Sequence, residues 1–260
     1  MSIETPLLER VVKRDRVVVF TGLAAVSIAS WLYIFFGAGM DMAATKGDMA
    51  AAWSPAYFVL MLVMWWVMMA AMMLPSAAPM ILLFATINRK SQDKGETYTP
   101  TGVFVAGYLA AWGGFSIAAT SLQWGLESMA LVTPMMKINS VYVGGALLVG
   151  AGIYQLTPLK HACLRHCRSP LDFLMNHWRR GPAGALRMGL GHGLFCLGCC
   201  WVLMALLFYG GVMNLWWIAG LALYVLLEKF APFGHWVGHF TGLLLVAWGG
   251  WVLFEASRIA

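Results

Sequence analysis

Charge is scarce in this 260-residue chain: 11% of its residues are Asp, Glu, Lys or Arg, against 61% hydrophobic. A soluble domain carries about 25% charged residues, so the composition excludes an ordinary water-soluble fold. Strict apolar–polar alternation is also missing, and continuous apolar runs argue against a β-barrel. No small-residue cleavage site follows the first apolar stretch, which therefore reads as a retained anchor and not a removed signal. No glycine-rich phosphate loop, catalytic triad or zinc-protease motif occurs, nor any evident repeat or low-complexity tract. The net charge of +6 is no sign of nucleic-acid binding, because surplus Lys and Arg in a membrane protein mostly encode orientation. With no ATP-binding segment, active transport would need an ion gradient or a partner.

What the chain has instead is long apolar runs, several reaching the ~20 residues that cross a bilayer. The expected fold is all-α, a polytopic transmembrane helix bundle forming one domain over residues 1–260. Seven spans are expected near residues 17–36, 56–74, 101–122, 140–157, 188–208, 213–228 and 237–255, or six if the short run 213–228 does not cross. The second should continue to about residue 87 as a broken helix, because Pro75 and Pro79 interrupt its hydrogen-bond ladder. Residues 123–137 and 171–183 are too polar to span. Residues 1–16 read as a polar cytoplasmic tail, and 158–187 as a basic cytoplasmic loop. With the N-terminus in the cytoplasm, all basic residues except Lys46, Lys137 and Arg258 fall on the inner side, which predicts a multi-pass protein of the bacterial inner membrane with its C-terminus outside. Glycines at 144, 145, 150 and 152, and at 184, 189, 191, 193 and 198, offer surfaces for close helix packing in lipid.

Cysteine is rare too, with five residues in all, yet three of them lie inside one apolar run. At about 100° per residue, His192, Cys196, Cys199 and Cys200 fall near 0°, 40°, −20° and 80°, on one helix face, with Met188 extending it. A histidine and three thiols on one face inside hydrocarbon exceed what filling a helix requires. Thiolate and imidazole suit Cu(I), Zn(II) or another thiophilic ion, and disfavour Mg or Ca. Buried free cysteines also serve as small hydrophobes. The rise from His192 to Cys200 is about 12 Å, so one ion cannot take all four. Either two sites exist or a neighbouring helix adds ligands.

Methionine repeats the theme. Met61, Met64, Met68 and Met72 form a stripe about 16 Å long on one helix face, whose thioethers favour Cu(I), although such a stripe is also ordinary flexible packing. Met40, Asp41 and Met42 lie at the outer end of the first span, where they would capture a soft cation or simply make a turn. Cys163 and Cys167, four residues apart and flanked by His161 and His166, read as a cytoplasmic metal relay or as incidental to a basic stop signal. Glu228 and Lys229 are expected to snorkel to the interface, and His235 and His239 to sit at a polar boundary.

The stretches 64–81 (MWWVMMAAMMLPSAAPMI), 154–170 (YQLTPLKHACLRHCRSP), 189–217 (GLGHGLFCLGCCWVLMALLFYGGVMNLWW) and 226–229 (LLEK) resemble an uncharacterised bacterial family of predicted metal-binding integral membrane proteins. The resemblance implies a metal-linked role and supplies no substrate, mechanism or catalytic residue. The residues themselves point first to a membrane protein that binds copper, as Cu(I), for transport or delivery. Its partners would be the lipid bilayer, the metal ion and another membrane or metal-carrier protein. A thiol or metal-dependent membrane oxidoreductase and a structural subunit of a larger complex are the alternatives.

Overall fold

The computed structural model describes residues 5–37, 53–92, 99–133 and 136–259. Among them the secondary structure is helical, apart from one isolated bridge between Val132 and Ile138. The order is α1 (Thr5–Phe35), α2 (Pro55–Gln92), α3 (Thr101–Ser128), α4 (Val141–Gln155), α5 (Pro158–Arg168), α6 (Pro170–His177), α7 (Gly181–Ala205), α8 (Leu207–Gly210), α9 (Leu215–Phe230) and α10 (Gly234–Ile259). Among the described residues, five helices are long and apolar enough to cross a membrane: Val17–Phe35, Pro55–Lys90, Thr101–Ser128, Gly181–Gly210 and Gly234–Arg258. A sixth crossing exists if α4 and α5, bent by 63° at their junction, act as one span. The seven-span expectation thus contracts to its six-span form or to five. The run 213–228 became α9, whose 16 residues rise only about 24 Å, less than the ~30 Å hydrocarbon layer.

The stretch read as a polar tail enters the helix at Thr5, so α1 runs without a break into its apolar part. The expected break in α2 is absent, and the helix continues through Pro75 and Pro79. Pro75 has no N–H to give the carbonyl of Ala71. The indole Nε1 of Trp31 on α1 donates to that carbonyl instead, at 3.2 Å.

The bend between α4 and α5 follows from Thr157–Pro158. A residue before proline is pushed out of the helical region, and Thr157 sits at ψ 146°. Its hydroxyl then accepts from Lys160 N at 3.3 Å, an N-cap with proline in the first turn. The segment read as a basic loop is therefore two short helices, α5 and α6, followed by the start of α7. Lys160 and Leu164 of α5 are buried.

Backbone proximity holds the two central helix pairs. A Cβ on Gly193 of α7 would lie 2.6 Å from Ala111 Cβ of α3, and one on Gly152 of α4 would lie 2.6 Å from Gly242 O of α10. In lipid, where apolar side chains gain little by meeting, such contact supplies the packing energy. The core these pairs enclose is unusually rich in sulfur. Met61, Met64, Met68, Met69, Met72, Met73 and Met80 of α2 are each at most 2% exposed.

Candidate metal centre

α7 presents His192, Cys196, Cys199 and Cys200 to the interior, as the helical spacing predicts; their exposures are 3%, 0%, 1% and 1%. All five cysteines are free. The Sγ of Cys199 and of Cys200 donate to the carbonyl of Cys196, at 3.0 and 3.1 Å. Cys196 Sγ lies 3.1 Å from the Tyr108 hydroxyl of α3. That hydroxyl also reaches the carbonyl of Met73 on α2, at 3.2 Å.

The second source of thiols is α5. Cys167 faces Cys196 and Cys199, and Cys163 faces Cys199. The close approach depends on Gly198: a Cβ there would lie 2.7 Å from Cys163 Sγ. The two cysteine groups that the sequence separates into a span and a loop thus face each other across α5 and α7.

Lys229, at the end of α9, is the residue that the sequence reading misplaced. It does not snorkel to the interface but is 7% exposed. Its ammonium donates to Ser76 Oγ of α2 at 2.9 Å and to Cys196 Sγ at 3.0 Å, with Cys199, Cys167 and Cys200 also around it. Glu228 is likewise buried, at 1%. It forms an ion pair with the fully buried Lys160 of α5, and Tyr224 donates to the same carboxylate at 3.5 Å. A charge in such surroundings is tolerated only when paired or hydrogen-bonded; Lys160 and Glu228 pair with each other, and Lys229 rests on a hydroxyl and a thiol. The only earlier hint was two adjacent ionisable residues ending an apolar run.

Among the described residues, no three His, Cys, Asp or Glu side chains converge as a ready-made metal site. The thiols of Cys199 and Cys200 turn back to their own helix, and an ammonium already stands at Cys196. His192 sits in an aromatic box, with ring centroids 5.5 Å from Phe173 and 5.8 Å from Tyr108. Its Nδ1 is buried without a partner. His166 stacks on Phe195 at 4.2 Å, and His161 on His239 at 4.6 Å.

Met61, Met64, Met68 and Met72 are all in the core, and Ser76, one turn beyond Met72, carries the Lys229 contact. The stripe therefore ends at the thiol cluster. Met40, Asp41 and Met42 lie outside the described residues.

The bundle and its interior sulfur define a class: a polytopic all-α protein whose buried donor atoms are soft. Residues 62–252 match the family PpoB2, described as a copper chaperone, and the chain belongs to that family. This bears out the metal-related role that the family resemblance implied and turns it toward copper. No curated protein and no solved structure matches the chain.

Proposed function

We propose that the protein is an integral membrane copper chaperone that binds Cu(I) on the thiol cluster of α5 and α7 and passes it to a metal-carrier or membrane partner. One observation carries the reading: four free cysteines from two distant segments, Cys167, Cys196, Cys199 and Cys200, surround a buried monovalent cation, the ammonium of Lys229. Thiols in a dry interior are poor partners for hard ions and good ones for Cu(I). Charge supports the same choice. Two thiols that release their protons to Cu(I) give a site of charge −1, which the nearby Lys229 ammonium balances, whereas the same thiolates on a divalent ion would leave that ammonium unbalanced where charge is costly.

In this reading Cys196, Cys199 and Cys167 are the principal ligands, with Cys200 and Cys163 beside them and His192 as a further donor one turn before. Lys229 holds the place of the ion in the empty protein and shifts aside on loading. Met61, Met64, Met68 and Met72 are weak soft contacts along the approach, and weak multiple contacts let an ion move where a single tight cage would trap it. Met40, Asp41 and Met42 would collect the ion at the outer face. The N-terminus is cytoplasmic and the membrane is the bacterial inner membrane, following the distribution of Lys and Arg.

The test is copper content. Wild-type protein purified from copper-supplemented cells under reducing conditions should retain Cu(I), and the Cys196→Ser/Cys199→Ser/Cys200→Ser variant should lose it. Cys163→Ser/Cys167→Ser should bind more weakly. Equal copper in wild type and the triple variant would end this reading.

A further inference from the structure

At the opposite end of the methionine stripe, a second group of soft acceptors converges on one point. Gln123 of α3 is fully buried. Its Nε2 donates to Met61 Sδ of α2 at 3.5 Å, to Met136 Sδ of the α3–α4 connection at 3.3 Å, and to Glu127 Oε1 at 2.8 Å. An amide NH2 has two hydrogens, yet three acceptors surround it, so one of them always lacks a proton. The amide cannot turn over to relieve this, because its Oε1 accepts from Trp65 Nε1 at 2.8 Å. The other carboxylate oxygen of Glu127 is held by Trp53 Nε1, also at 2.8 Å. Met136 reaches the group from a backbone with φ 51°, a region unfavourable to a residue with a side chain, and still buries that side chain to 5% exposure.

We infer that Met61, Met136 and Glu127, gathered around the Gln123 amide, form a second binding site for a soft monovalent cation, at the end of the α2 stripe away from the thiols. Two thioethers and a carboxylate give an acceptor set with one negative charge, matched to one positive ion. Thioethers select Cu(I) or Ag(I) over Zn(II) and hard cations. Neutral sulfur binds more weakly than thiolate, so this site loads and unloads easily while the thiol cluster retains. Met61 and Ser76 are 15 residues apart on α2, about 22 Å along the axis, and Met64, Met68 and Met72 lie between them. The N–H2 of Gln123 stands where the ion would bind, as the Lys229 ammonium does at the other site, and loading requires it to swing aside about the Oε1–Trp65 hydrogen bond.

The identity of the ion rests on the copper reading; the existence of the site does not. The probe is Ag(I), titrated into purified protein. Wild type should bind one equivalent more than Met61→Leu/Met136→Leu, and the Cys196→Ser/Cys199→Ser/Cys200→Ser variant should keep that equivalent. Glu127→Gln removes the one negative charge of the ligand set and should weaken it at least about tenfold, or ~1.4 kcal/mol. Met80→Leu, a buried methionine elsewhere on α2, is the control for packing and should change nothing. Equal Ag(I) stoichiometry in wild type and the Met61/Met136 variant would overturn the inference while leaving the thiol site standing. Loss of all Ag(I) in the cysteine variant would overturn it as well. Binding of Zn(II) to the same equivalent, displaced by the leucines, would overturn the thioether assignment.

Discussion

The two ends of the methionine stripe hold their sulfur by different means. At one end thiols meet buried charge: Lys229 among the cysteines, and beside it the Lys160–Glu228 pair. At the other end thioethers meet a neutral amide, with the single carboxylate of Glu127 only partly buried. The first arrangement is costly to build and costly to disturb, since each charge depends on its partner. The second is inexpensive and adaptable, since a thioether asks for no counter-charge. The copper reading proposed above calls for this asymmetry, with one end that catches loosely and one that keeps.

The sharpest way to break the comparison is Glu228→Leu. It strands the Lys160 ammonium in the interior, and breaking a buried pair costs about 3–5 kcal/mol. The variant should unfold in detergent at markedly lower temperature by circular dichroism, while adding Lys160→Met should restore most of the loss. If Glu228→Leu alone is neutral, the charged end is not built as described.

Lys229→Met should act on copper more than on folding. With the balancing ammonium gone, Cu(I) affinity should fall about tenfold, or ~1.4 kcal/mol, and transfer to a Cu(I) chelator should quicken. Tighter binding would show instead that the ammonium only competes with the ion. Trp31→Phe acts on folding alone. It leaves the Ala71 carbonyl without a donor and should cost ~1–3 kcal/mol of stability, read as a lower unfolding midpoint with Cu(I) and Ag(I) stoichiometry unchanged. Least disruptive is Met136→Leu, a near volume-conserving change that should cost under ~1.5 kcal/mol and be visible mainly in Ag(I) binding.

Periodicity made part of the centre legible. One face of α7 had to collect His192, Cys196, Cys199 and Cys200, and one face of α2 had to collect Met61, Met64, Met68 and Met72, because both follow from 3.6 residues per turn. The fate of residues 158–168 was not legible. Lys160, His161, Arg165 and Arg168 read as a solvated loop, and nothing local reveals that Lys160 would find a carboxylate 68 residues further on. Without that pairing Cys163 and Cys167 stay in a loop, and the thiol cluster remains half assembled. Lys229 was misread for the same reason, since its partner Ser76 is 153 residues away. Gln123 and Met136 carried no signal, for a lone amide and a loop methionine acquire meaning only from what surrounds them. The count of crossings fell because 16 residues in α9 satisfy a hydropathy pattern without satisfying a length.

Pro75 lies one residue before Ser76, the side chain that fastens α2 to Lys229. A proline removes one rung from the backbone ladder there, and the replacement rung is lent by a tryptophan of another helix. α2 nonetheless runs unbroken through this point, so the seat of the Ser76 hydroxyl against the lysine depends on α1 as well as on α2 itself.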